Sequence, residues 1–191
     1  EEDALILFHL FSCYHLSFLL GKEASYDYLN QNKDVPKAVW AYYKICIDNH
    51  MVLNRGKIYL SKNPFFSGSM KSLSERFNKP QFIHMNRDMN AVTPSFFSLK
   101  KSLSTVFYGK QPSKETYTSI NKTILLWNEA PTKEAYKSMT LKAGFPELTS
   151  DPVSLIDKVY TFLNLTISPE YKTALQQEKQ KAKAYKSQHS Y

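Results

Sequence analysis

Apolar positions recur along most of this chain with the spacing of amphipathic helices. Val39, Tyr43, Cys46, Ile47 and Val52 mark one such face. They predict a helix over Val35–Asn54, with Pro36 suited to its first turn and Arg55-Gly56 closing it. Met70, Leu73 and Phe77 predict a shorter helix over Gly68–Phe77. Val92, Phe96, Leu99 and Leu103 fall at i, i+4, i+7 and i+11, which is one helix face. Asp88 or Asn90 can cap that helix, and Pro94 is tolerated in its first turns. Gly109–Ser113 breaks the pattern, and Lys114–Ala130 resumes it with Tyr117, Ile120, Ile124, Leu125 and Trp127. Ala135–Ala143 is short and fits more than one kind of element. Asp151 and Pro152 open a helix towards Leu165 with Val153, Ile156, Tyr160 and Leu163 on one face. Ser168 opens a last helix that runs into a basic tail with Lys179, Lys181, Lys183 and Lys186. A charge run of this kind is by itself a solvated helix face.

Two short runs between these helices read as strands, Lys57–Leu60 and Gln81–Met85. The second is apolar enough for a buried parallel strand. Each run leads into a turn that carries a cation, Lys62 in Ser61–Pro64 and Arg87 in Asn86–Asn90. Each turn then opens a helix. Strand, basic turn and helix, twice over, predict an α/β domain with a parallel sheet. In such sheets the strand-to-helix turns gather on one edge, and ligands bind there. Two cations on that edge, near helix N-termini, suit a ligand with several phosphate or sulfate groups.

Composition narrows this a little. The 191 residues are enough for one domain with a sizeable core, and residues 1–191 are read as a single domain. The excess of 25 Lys plus Arg over 17 Asp plus Glu favours an anionic partner without choosing one. No aromatic-plus-glycine RNA motif occurs and the basic residues are scattered, which argues against nucleic acid. Ala4–Leu20 is the most apolar stretch and holds no Lys, Arg, Asp or Glu. It is at the short limit for a membrane span, and His9, His15, Cys13 and two serines interrupt it. The acidic start Glu1-Glu2-Asp3 is unlike a secretory leader. A buried core segment is therefore expected there, followed by a polar loop over Gly21–Asp34. Cys13 and Cys46 form no CxxC, and His15 does not share the helix face of His9 and Cys13, so no metal site is predicted. A single Cys13–Cys46 disulfide stays open. Two sequons, Asn121-Lys-Thr and Asn164-Leu-Thr, matter only in a secretory lumen.

Three pieces, in this order and spacing, carry a resemblance. They are Leu60-Ser-Lys-Asn-Pro-Phe65, Phe82-Ile-His-Met-Asn-Arg-Asp-Met-Asn-Ala-Val-Thr-Pro-Ser95, and Glu147-Leu-Thr-Ser-Asp-Pro152 with Ile156–Leu163. Together they resemble the sulfotransferases that use 3′-phosphoadenosine 5′-phosphosulfate (PAPS), in the broad family that includes protein-tyrosine sulfotransferase-like and bacterial members. Glu1-Glu2-Asp3 is similar to the acidic start of one subgroup, and His189-Ser-Tyr191 to its terminal segment. The resemblance implies a P-loop-NTPase-like, three-layer α/β/α fold with a central parallel sheet. It implies that Lys62 lies near the transferring sulfonate and the bridging oxygen, as a catalytic and cofactor-contacting residue. It implies that Arg87 and Ser95 hold the 3′-phosphate of PAPS and of its product, PAP. The family's first strand and P-loop turn, PRSGTT in type, have no counterpart here, and they are expected before residue 1. The general base of relatives commonly lies near that segment, so none is assigned.

The implied activity is transfer of the sulfonate of PAPS to a hydroxyl or amine. The alternative is a catalytically inactive sulfotransferase-like subunit with protein partners in a larger assembly. The acceptor can be a carbohydrate, a peptide or a small molecule, with Gly21–Asp34 and Gly109–Ser113 expected to line its pocket. Relatives work in the cytoplasm or the Golgi lumen. Asn63, Met89 and Phe145-Pro146 depart from the family's pattern. His84, inside a strand, is expected to be buried and not catalytic.

Overall fold

Two parallel strands, β1 (Phe82–Asn86) and β2 (Thr140–Gly144), pair from Phe82 opposite Thr140 to Asn86 opposite Gly144. They form the sheet of the computed structural model, which describes residues 3–10, 12 and 36–184. The helices in chain order are α1 (Ala4–Phe8), α2 (Lys37–Leu53), α3 (Met70–Arg76), α4 (Met89–Tyr108), α5 (Lys114–Glu129), α6 (Phe145–Ser150), α7 (Pro152–Phe162) and α8 (Pro169–Ala184). The architecture is α/β and rich in helix, with a small parallel sheet.

Local chemistry explains most of the boundaries. Pro36 stands just ahead of α2, where its missing N–H costs nothing. The Asp88 carboxylate accepts from the Asn90 N–H at 3.0 Å and starts α4. Gly109, at φ +64°, ends α4 in the left-handed conformation that glycine adopts without strain. Ser113 and Ser168 hydroxyls accept from the Thr116 and Tyr171 N–H groups and start α5 and α8.

Lys57–Leu60 departs from expectation. The segment is extended, but it is not a strand of the two-stranded sheet. Tyr59 is half-buried, while Ile58 and Leu60 point outward and are 67% and 79% exposed. An extended chain becomes a strand only when a neighbouring backbone pairs with it. After Lys62, a 3-10 segment (Pro64–Ser69) precedes α3, so the helix expected from Gly68 begins at Met70. β2 occupies the stretch that the residue pattern leaves open, directly after a 3-10 segment over Glu134–Met139.

The core has two centres. Leu7, Val39, Trp40, Tyr43, Ile47 and Leu73 form the first, with Tyr59, Phe66, Phe77 and Phe82 packed around them. Trp40 is 1% exposed, and Phe66 lies edge-on to Tyr43 with centroids 5.4 Å apart. Ile120 and Ile124 form the second, with Phe65, Met89, Val92, Phe96, Phe97, Leu103, Tyr117 and Trp127. The adjacent residues Phe65 and Phe66 serve different centres, so the 3-10 segment after Lys62 links them.

Some faces are turned from those the sequence predicts. Val52 and Leu125 are exposed. On α4, Leu99 is exposed while Lys100 and Ser104 are buried. Phe97 meets Tyr117 of α5 at 4.8 Å, which turns the Phe97–Lys100–Ser104 side inward. Leu155 and Val159 supply the buried side of α7.

The beginning of the apolar N-terminal stretch is helical, with Leu7 in the core. Among the described residues no helix is long and apolar enough to cross a membrane. Cys46 is a free thiol, and no cluster able to hold a metal occurs among the described residues. The Gly21–Asp34 loop, Cys13, His15 and His189–Tyr191 lie outside the described residues.

Candidate functional site at the carboxyl ends of the strands

β1 and β2 run in the same direction, so the residues that follow them leave the sheet on one edge. Arg87 follows Asn86, and Phe145 follows Gly144, its register partner. Arg87 is exposed, and its guanidinium carbon lies 4.4 Å from the centroid of the Phe145 ring, over its face. Two carboxylates stand close in sequence, and both are engaged elsewhere. Asp88 caps α4. Glu147 accepts from the Gly144 N–H at 3.0 Å and from Lys158 Nζ at 2.9 Å. Among the described residues no carboxylate pairs with Arg87.

Phe145 itself sits on a pinned corner. Gly144 ends β2, Pro146 fixes the backbone at the start of α6, and the Glu147 side chain closes back on the Gly144 N–H. Lys158 of α7 and the Gly144 N–H hold the Glu147 carboxyl below its ordinary range, Lys158 having the larger effect. The corner is also crowded. A Cβ at residue 144 would meet Glu147 Oε2 at 3.3 Å.

Lys62 lies in an isolated bridge position, exposed, one residue before Asn63. Asn63 Oδ1 accepts from the Phe65 N–H at 3.0 Å and starts the 3-10 segment. That bond leaves Asn63 Nδ2 buried and without a hydrogen-bond partner among the described residues. The turns of Lys62 and Arg87 approach the same part of the molecule, because Phe65 and Met89 pack in the same core centre. Met89, a departure from the family's pattern, is thus an apolar anchor at the start of α4. Ser95 is half-buried on α4 beside Phe96 of that centre. Arg87 and Ser95 are therefore carried by one turn–helix unit, and the segment after Lys62 packs, as that unit does, on α5.

His84 belongs to the strand and not to this edge. It is half-buried, and its Nδ1 has no hydrogen-bond partner among the described residues. Burial, then the charge of Lys142 opposite it, lowers its pKa below the usual 6.5. Neutral histidine therefore prevails near pH 7, in line with a structural role.

Sequence reasoning marks Phe145 only as a departure from the family's pattern and gives it no place at the site. Its signal was present as Gly144-Phe-Pro-Glu147, a helix start with a capping glutamate, but β2 before it is too weakly apolar to mark the turn as a sheet edge. A family model described as Sulfotransferase family matches residues 11–169. No match occurs among curated proteins or among solved structures.

Proposed function

Since the chain belongs to the sulfotransferase family, we propose that it transfers the sulfonate of PAPS to a hydroxyl or amine acceptor. The observation that carries the reading is the exposed guanidinium of Arg87 at the carboxyl end of β1, with no carboxylate paired to it among the described residues. Arg87 would hold the 3′-phosphate through charge-assisted bonds, and Ser95 would donate its hydroxyl to the same group. Lys62 would face the sulfonate and the bridging oxygen. The reaction forms a bond from sulfur to the acceptor oxygen or nitrogen and breaks the bond from sulfur to the 5′-phosphate oxygen, releasing PAP. Negative charge grows on that leaving oxygen, and a positioned ammonium such as Lys62 offsets it. A three-layer, P-loop-NTPase-like sheet, wider than the two strands described, and a single domain over residues 1–191 belong to the same reading. The acceptor is a carbohydrate, a peptide or a small molecule, and the compartment is the cytoplasm or the Golgi lumen.

Calorimetric titration of the full chain with 3′,5′-adenosine bisphosphate tests the reading. Saturable binding is expected, and Arg87→Ala should weaken it by at least about tenfold, the order of one charge-assisted contact. Failure of the wild-type chain to bind at millimolar ligand would overturn it. The second reading, an inactive subunit of a larger assembly, draws on the exposed apolar residues Ile45, Val52, Leu53, Ile58 and Leu60. Binding of the bisphosphate without transfer from labelled PAPS to any acceptor in a mixed panel would favour it.

A further inference from the structure

We infer that Phe145 is a positioning residue for Arg87, a platform that fixes the guanidinium for a 3′-phosphate. This rests on the function proposed above. Arginine has a long side chain, and a free one samples many rotamers before it grips an anion. Here the guanidinium carbon lies 4.4 Å from the centroid of the Phe145 ring. Attraction between the cation and the ring face holds it there, and a guanidinium stacked in this way keeps its planar fork of N–H donors at the edge, open to a bidentate acceptor. The aromatic face supplies no acceptor atom, so the donors are not consumed. A carboxylate partner would consume them, and the two carboxylates nearest in sequence are engaged elsewhere, Asp88 in capping α4 and Glu147 with Lys158 and the Gly144 N–H.

The platform is itself held in place. Phe145 follows the last paired residue of β2 and begins α6, whose start is fixed by Pro146 and by the Glu147 cap. Lys158 of α7 steadies that cap. The sheet register then sets Arg87 next to Phe145, because Asn86 and Gly144 are partners. A line of contacts thus runs from α7 through Glu147 and Gly144 to Phe145 and on to Arg87. The departure from the family's pattern at residue 145 acquires a role in this way, since the ring stands beside the cation assigned to the nucleotide.

The experiment compares two ligands and five chains: wild type, two Phe145 variants, Arg87→Ala, and Phe145→Leu in the Arg87→Ala background. Phe145→Leu removes the ring and keeps an apolar side chain, while Phe145→Tyr keeps the ring. Titrations use 3′,5′-adenosine bisphosphate and 5′-AMP, which lacks the 3′-phosphate. Phe145→Leu should weaken the bisphosphate about two- to fivefold, the size of an exposed cation–π contact, and leave 5′-AMP unchanged. Phe145→Tyr should restore the bisphosphate. In an Arg87→Ala background, Phe145→Leu should cause no further loss. Equal loss for both ligands, or no loss for the bisphosphate, would overturn the role of Phe145 while leaving nucleotide binding standing. Wild-type chain that binds neither ligand would instead overturn the parent reading. The stack is then read directly by NMR. The Arg87 side-chain protons should show upfield ring-current shifts that vanish in Phe145→Leu, and their absence in the wild-type chain overturns the platform itself.

Discussion

Asp3 shows how much a single side chain can hold together. It is buried, and its two carboxylate oxygens accept from the hydroxyls of Tyr43 and Tyr59, each at 2.6 Å. Burial, then the neighbouring carboxylate, raises both phenol pKa values, so both tyrosines stay protonated donors. The contact ties the start of α1 to α2 and to the extended segment before Lys62. Removing one donor leaves a buried carboxylate oxygen bare. Tyr43→Phe should lower stability by about 1.5–3 kcal/mol, seen as a lower urea midpoint with an unchanged slope. An unchanged midpoint would mean that Asp3 finds another donor. In the sequence, Asp3 was legible only as one of three acidic residues. Its partners lie about 40 and 56 positions away, beyond any local pattern.

At the scale of the element, the helices were largely legible, and the reason is visible in their ends. Asp88 and Ser168 cap where the residue types predict, and Gly109 stops α4. The strands were less so. β1 was legible from its apolar run, shifted by one residue. β2 was not, because Thr140-Leu-Lys-Ala-Gly144 offers little alternation and gains its identity from pairing with β1. Lys57–Leu60 erred the other way, since its residues suit a strand and no partner in the sheet makes it one. The last helix depends on a charge that the sequence shows only as part of a basic tail. Lys179 donates to Asp151 at 2.9 Å, and Tyr171 rests near Tyr160 with centroids 5.7 Å apart. The Lys179 bond, followed by that of Ser154, lowers the Asp151 pKa from 3.8 to about 2. A carboxyl pKa lowered by folding contributes stability that is complete above the unfolded value and is lost as pH falls through the folded value. The α8 contact should therefore hold at pH 5 and loosen between about pH 4 and pH 2. Carboxyl NMR titration should find Asp151 in that low range and return it toward its ordinary value in Lys179→Gln. A titration that Lys179→Gln leaves unmoved would detach Lys179 from Asp151.

For the whole molecule, the family was more legible than the architecture. Lys62, Arg87 and Ser95 sit in turns and helix starts whose local pattern survives without the sheet, while the platform under Arg87 arises only where two distant stretches meet. A ligand that grips Arg87 binds the folded chain and not the unfolded one. At about 100 times its dissociation constant, 3′,5′-adenosine bisphosphate should stabilise the chain by about 2.7 kcal/mol, read as a concentration-dependent rise in Tm. Arg87→Ala should largely abolish that rise.

The pairing of Phe82 with Thr140 has a consequence in time as well as in space. Every residue of α4 and α5 lies in the loop that this pairing closes. Loop-closure entropy must be met before the strands reward it, so contacts of this range form late, after local helices. Residues 87 and 145 then become neighbours in one of the last steps of folding. Appearance of the Arg87 ring-current shift in a refolding experiment would mark that step, and it should lag behind the recovery of helical circular dichroism.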